Sequence, residues 1–181
     1  DKGGAFLATD HLIKNGCNRV ALITTPDYVT VGKERREGYN RALTSNKLQI
    51  DENLIIKIDD KKDIEEQLRS LLTGGNPPDG VFAVNEIYAA TFMKVARNFG
   101  YKVPDDIEVI GFTDGLISEF TIPSLTTVAQ HGRSMGQKAL ELLMDEIDSQ
   151  EADYQHKNAL IKTDLKIRNS TKKSTASELI N

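Results

Sequence analysis

Pro77-Pro78-Asp79-Gly80-Val81-Phe82-Ala83-Val84-Asn85-Glu86 passes from turn residues to an unbroken apolar run and back to polar side chains. Pro-Pro-Asp-Gly is turn chemistry, because proline presets φ and glycine and aspartate tolerate tight backbone. The run from Gly80 to Val84 has no polar alternate and therefore no side to show to water. That is the pattern of a strand covered by helices on both faces of a parallel sheet. Val109 to Phe112, in a strand expected from Ile107, repeats it behind a second turn signal, Val103-Pro104-Asp105-Asp106, and ends as abruptly in Thr113-Asp114-Gly115.

The flanking segments alternate in kind. Phe6, Leu7, Leu12 and Ile13 predict a helix that stops at Asn15-Gly16, followed by a strand from Arg19 to Thr24. Helices are then predicted at Lys33 to Asn46, Lys61 to Thr73, Ile87 to Phe99 and His131 to Ser149, and strands at Asn53 to Ile58 and Leu125 to Ala129. The expected fold class is α/β, a doubly wound parallel sheet. Ala159 to Ile167 alternates loosely and is expected as an edge strand, whereas the Ser/Thr/Lys-rich stretch Asn169 to Asn181 is expected as a mobile tail.

Composition narrows the function. With 181 residues, 39% hydrophobic and 28% charged, the chain can bury one sizeable core. A net charge of −4 argues against direct contact between this segment and nucleic acid, which needs a basic face. One cysteine, Cys17, rules out an internal disulfide, and no Cys/His set has metal-ligand spacing, so a reducing compartment and no metal are expected. Asp1-Lys2-Gly3-Gly4-Ala5 reads neither as a start nor as a signal sequence, and no apolar run reaches the ~20 residues of a membrane span. The expectation is a soluble, cytoplasmic piece of a longer protein with no membrane partner.

Enzyme signatures are missing: there is no phosphate-cradling glycine loop, no nucleophile elbow and no paired His and carboxylate. A non-enzyme without catalytic residues or cofactor is expected. Open parallel sheets bind ligands at the carboxyl ends of their strands, which places Thr24 to Lys33, Asp59-Asp60, Asn85-Glu86 and Thr113-Asp114-Gly115 in candidate positions. Carboxylates accept pairs of hydroxyl protons, Asn donates and accepts, and Arg offers a planar fork of donors. Arg35 and Arg36 sit early in a helix, against its dipole, which costs a few tenths of a kcal/mol unless an acid or a ligand compensates. On position alone, two readings of this pair stand: ligand binding, or solvent-facing ion pairs. Asn85 reads equally as a helix cap, and Asp114 equally as turn chemistry.

Gly3-Gly4-Ala5-Phe6-Leu7-Ala8-Thr9 with His11-Leu12-Ile13, Arg35-Arg36-Glu37-Gly38-Tyr39, Pro78-Asp79-Gly80-Val81-Phe82-Ala83, Val103-Pro104-Asp105-Asp106-Ile107, Val109-Ile110-Gly111-Phe112 and Pro123-Ser124-Leu125-Thr126-Thr127-Val128 occur in that order. Together they resemble the lac repressor family, from Asp1 to about Arg168. The resemblance implies a periplasmic-binding-protein-like (type I) effector domain, mostly its C-terminal subdomain. Residues 1–15 and 129–158 would belong to the N-terminal subdomain, 16–128 to the C-terminal one, 159–168 to a returning strand and 169–181 to the tail.

The implied function is ligand sensing. A small sugar-like effector would bind in the cleft between subdomains and alter operator binding allosterically. DNA would be read by an N-terminal helix-turn-helix absent from this sequence, in a homodimer built on the helix Ile87 to Phe99 and the loop Gly115 to Phe120. Carried over by motif, Arg35 grips the effector and Asn85 is its polar contact. The family's acid directly after Gly-Phe is Thr113 here, with Asp114 one place later. A periplasmic-type solute-binding protein for a sugar is the rival reading, since it shares cleft and chemistry.

Overall fold

In the computed structural model, which describes residues 1–59, 62–149 and 156–172, helices and strands alternate as expected. They are α1 (Lys2–Lys14), β1 (Val20–Thr24), α2 (Thr30–Ser45), β2 (Ile55–Lys57), α3 (Ile64–Thr73), β3 (Gly80–Ala83), α4 (Glu86–Asn98), β4 (Glu108–Phe112), α5 (Leu116–Phe120), β5 (Thr126–Ala129), α6 (Gly132–Asp148) and β6 (Asp164–Lys166). One sheet forms in the order β2-β1-β3-β4-β5-β6; the first five strands are parallel and β6 runs antiparallel to β5.

Local chemistry sets the boundaries. Asp63 caps α3 by accepting from the Glu65 and Glu66 amides, and Asn85 caps α4 by accepting from Tyr88. α1 stops where Gly16 takes φ +102°, so that Gly16 N and Cys17 N can return to the Ile13 and Leu12 carbonyls. Successive residues of each strand then feed opposite cores. Ala21, Ile23, Val81, Ala83 and Val109 pack with Leu68, Leu72, Phe92 and Ala96 of α3 and α4. Val20, Leu22, Phe82, Ile110 and Phe112 pack with Ala5, Ala8, Leu12, Tyr39 and Leu43 of α1 and α2.

Four expectations need correction. First, α1 is not part of a different subdomain: Ala5, Ala8 and Leu12 are wholly buried on this sheet beside Phe112 and Val128. Second, the loop Gly115 to Phe120 contains the short helix α5, whose Ser118 hydroxyl and Gly115 amide are both held by Glu86 Oε2. Third, the edge strand is confined to β6, where pairing with β5 supplies its hydrogen bonds. Fourth, Asn169 to Lys172 is not a mobile tail. Ser170 is fully buried, takes the Thr126 amide on its hydroxyl at 2.8 Å and the Val109 amide on its carbonyl at 2.9 Å. The rest of the expected tail, residues 173–181, lies outside the described residues.

α1 and α2 touch closely because Gly38 has no side chain. A Cβ there would stand 2.2 Å from the Lys2 carbonyl oxygen and 2.8 Å from Ala5 Cβ. Backbone cannot yield as a flexible side chain would, so Gly38→Ala is expected to push the helices apart and cost about 1–3 kcal/mol as overpacking. Urea unfolding measures this; an unchanged midpoint would show that the helix pair has slack. α6 stands apart from both cores: it has no buried residue, and Met135, Leu140, Leu143, Met144 and Ile147 are all exposed. Among the described residues, no helix is long and apolar enough to cross a membrane.

Candidate functional site

β1 is followed by α2 and β2 on one side of it, while β3 lies on its other side, so the strand order reverses between β1 and β3. Helix connections leave in opposite directions at such a point and open a crevice beyond the carboxyl ends of the strands. Arg35, from the second turn of α2, reaches the strand ends at that point. Its Nη1 donates to the Val84 carbonyl directly after β3, and its Nε and Nη2 donate to Asp1 Oδ1 at 2.9 and 2.7 Å. The guanidinium carbon lies 3.7 Å from the centre of the Phe112 ring, at the end of β4.

Burial is what makes this arginine unusual. Its side chain is 7% exposed, and desolvation pulls its pKa down to about 10, which still leaves it charged at neutral pH. A guanidinium has five N–H donors. The three contacts named above leave two without a partner among the described residues, beside an aromatic face. Arg36 behaves differently. It sits at the surface on Glu52, at 2.7 Å, with Asp27 at 3.6 Å. The reading as a surface ion pair thus fits Arg36 and not Arg35.

Asn85 follows Val84 and is the cap expected of it. Its Oδ1 is used by the α4 cap, at 2.8 Å from Tyr88 N, and its Nδ2 donors have no partner among the described residues. Thr113 follows Phe112 with φ +73° and donates its hydroxyl to Gln130 Oε1 at 2.9 Å. Asp114 turns towards the end of the sheet: Arg168 Nη2 at 2.6 Å, Thr127 Oγ1 at 3.0 Å and Lys166 Nζ all donate to it. Burial works to raise this carboxyl, but those donors outweigh it and hold the group below the ordinary aspartate range. Thr113, Asp114, Gln130, His131, Arg133 and Lys166 line a cleft of about 540 Å³, within the range of small-molecule sites, about 300–1,000 Å³. Asp59 follows β2, with its backbone bracketed by Gln67, which accepts from its amide at 3.0 Å and donates to its carbonyl at 3.1 Å.

The structure therefore brings Arg35, Asn85 and Thr113 to one strand-end row, through Val84 and Phe112, and anchors Asp114 to the returning segment. Sequence reading missed Asp1 as the partner of Arg35, since 34 positions separate them and no spacing rule links them. The stretch from Thr24 to Lys33, picked out from the sequence, opens with Thr24 and Thr25 at the end of β1, whose buried hydroxyls have no hydrogen-bond partner among the described residues. Among those residues, no three His, Cys, Asp or Glu side chains gather into a metal site.

The family described as "Periplasmic binding protein-like domain" matches residues 9–171 of the chain. The ribose operon repressor of Halalkalibacterium halodurans is 33% identical over 180 residues, which are 98% of this chain and 53% of the repressor. A solved complex of the transcriptional regulator CelR with cellobiose superposes with a TM-score of 0.86 at 31% identity, over 93% of this chain and 51% of that one. A dimeric Lac repressor superposes with a TM-score of 0.82 at 27% identity, over 94% and 61%. The chain spans about half the length of the curated relatives it matches. These relatives are transcriptional regulators rather than enzymes.

Proposed function

The chain belongs to the LacI family of transcriptional regulators, and from that premise we propose that it is the sensing part of one, binding a small sugar-like effector at the Arg35 crevice. The observation that carries this reading is the buried guanidinium of Arg35 at the point of strand-order reversal, with two donors unassigned and the Phe112 ring against its face. Sugar rings offer hydroxyl oxygens to such donors. Asn85 and Thr113 supply further polar groups along the same row, and Asp59 lies at its β2 end. Asp114 contributes through the loop it steadies.

In this reading the effector sits between this subdomain and a second one supplied by the longer protein. The apolar side of α6, unpartnered here, packs on that second subdomain. Operator DNA is read by a helix-turn-helix elsewhere in the protein, consistent with the net charge of −4 of this part. The regulator works in the cytoplasm as a homodimer, for which exposed Ile87, Leu116, Phe120 and Ile122 around α4 and α5 offer an apolar surface. The effector shifts operator binding only by its differential affinity for two closure states, typically about 1–3 kcal/mol of coupling.

Thermal unfolding in the presence of ribose, cellobiose, sugar phosphates and purine bases tests the proposal. A ligand at one hundred times its Kd is expected to stabilise the full-length regulator by about 2.7 kcal/mol. Arg35→Lys keeps the charge but loses the fork, so it is expected to remove that stabilisation. If no sugar raises the midpoint of the wild type, the sugar-sensing reading is wrong.

A further inference from the structure

At the opposite edge of the sheet, where the strands begin, Glu108 opens β4 with only 1% of its side chain exposed. The Asn15 amide at 2.7 Å and the Lys172 backbone amide at 3.1 Å both donate to its Oε2. Its Oε1 has no hydrogen-bond donor among the described residues, and neither does the buried Oδ1 of Asn15. The Asn15 amide is oversubscribed as well. Its two hydrogens face Glu108 Oε2, the Lys172 carbonyl at 2.9 Å and His11 Nε2 at 3.2 Å.

Counting donors against acceptors among the described residues, the cluster is short of hydrogens. A buried acceptor without a donor carries a desolvation cost, and so does a buried carboxylate without a close counter-charge. The groups around Glu108 do not remedy this. His11, on α1, is held below the ordinary histidine range by burial, and its Nε2 lies 3.2 Å from the Asn15 amide nitrogen. Cys17, after α1, is pushed up to about 12 by burial and stays a thiol. Asp79, before β3, adds negative charge, although its carboxylate is already occupied by the Asn18 and Arg19 amides at 2.8 Å. Lys172 Nζ lies 4.0 Å from Oε1 on a side chain that is half exposed.

One added hydrogen makes good part of the shortage, and Glu108 is the group that can carry it. We propose that Glu108 is a proton-operated latch for the segment Asn169 to Lys172: it carries a proton while that segment is docked, and losing the proton loosens the docking. Burial pushes this carboxyl up, against the hydrogen bonds from Asn15 and Lys172 that pull it down, which agrees in direction. A group raised in the folded state stabilises below its unfolded value, and that contribution is lost as pH rises through the folded value. The latch therefore tightens in acid and loosens in base. The same segment begins beside Arg168, which holds Asp114 at the ligand edge, so the latch lies in series with that ion pair.

Carbon-13 carboxyl NMR of the chain, together with hydrogen exchange of the Val109 and Lys172 amides, tests this at a series of pH values. The Glu108 carboxyl is expected to titrate above the ordinary glutamate range, with amide protection falling through the same midpoint after correction for intrinsic exchange rates. Glu108→Gln carries the extra hydrogens permanently, so its protection is expected not to vary with pH. Lys172→Met removes the ammonium that lies 4.0 Å from Oε1 and is expected to move the carboxyl midpoint further up. A Glu108 midpoint in the ordinary range, or protection independent of pH in the wild type, overturns the proposal even if the glutamine variant fails to fold.

Discussion

Phe112→Ala is expected to destabilise the chain by about 3–5 kcal/mol, the range for truncating a fully buried aromatic side chain. Phe112 is wholly buried, its ring centre lies 6.3 Å from that of Phe82, and α1 approaches it so closely that a Cβ on Gly4 would stand 2.9 Å from its Cζ. Neighbours on a sheet and a helix glycine cannot easily collapse into the space a phenyl ring leaves, which favours the upper part of that range. The ring is also the platform under Arg35, at 3.7 Å, and a desolvated cation on an aromatic face contributes about 2 kcal/mol of its own. Phe112→Leu separates the two effects, since it keeps most of the apolar volume and loses the π face. It is expected to unfold at a higher urea concentration than the alanine variant while losing ligand-induced stabilisation to the same extent. If both variants cost less than about 1 kcal/mol, the ring is not the joint between core and site that its position suggests.

How much of this was readable in the sequence depends on the range of each interaction. The strands β3 and β4 were legible because strands of a parallel sheet under two helix layers are mostly apolar, and Val81 to Val84 and Val109 to Phe112 form such runs, with Glu108 at the start of β4 departing from the pattern. Helix ends were legible where a cap is a property of one residue, as at Asn85 and Gly16. Candidate ligand residues could be placed at strand ends for the same reason, since the end of an apolar run is itself a local signal. Long-range pairings left no such trace. Nothing around Arg168 announces that it crosses 54 positions to Asp114. Nothing in the Ser/Thr/Lys-rich stretch marks Ser170 as buried, because its hydroxyl is satisfied by Thr126 N and the Val109 carbonyl on strands far away in sequence. α1 was assigned to the wrong subdomain by analogy, although its alternation of small and large apolar residues already suited packing against a neighbour.

The second large effect is expected from Asp114→Ala. Asp114 and Arg168 are 14% and 17% exposed, so most of their charge is out of water, and removing one partner strands the other. Breaking a well-buried pair costs about 3–5 kcal/mol; with this residual exposure about 2–4 kcal/mol is expected. Arg168 would keep the Leu125 carbonyl at 2.9 Å and Thr127 Oγ1 at 3.0 Å, but its nearest remaining carboxylate, Glu119, lies 3.9 Å away and is largely exposed. The pH dependence gives the prediction its sharper form. Asp114 has its folded value depressed, so its contribution is complete above the ordinary aspartate value, about 3.9. It is lost as pH falls through the lower folded value. Wild type and variant should therefore differ by a constant amount near neutrality and converge only in strong acid, in chemical unfolding followed from neutral pH downwards. Glu108, raised by burial, moves stability the other way, weakening it as pH rises. Two carboxyls at opposite edges of one sheet, joined through the segment from Arg168 to Lys172, thus bound the pH range in which that segment stays docked. A stability difference for Asp114→Ala that varies with pH near neutrality would mean that Asp114 is not held in its charged form by Arg168 and Lys166.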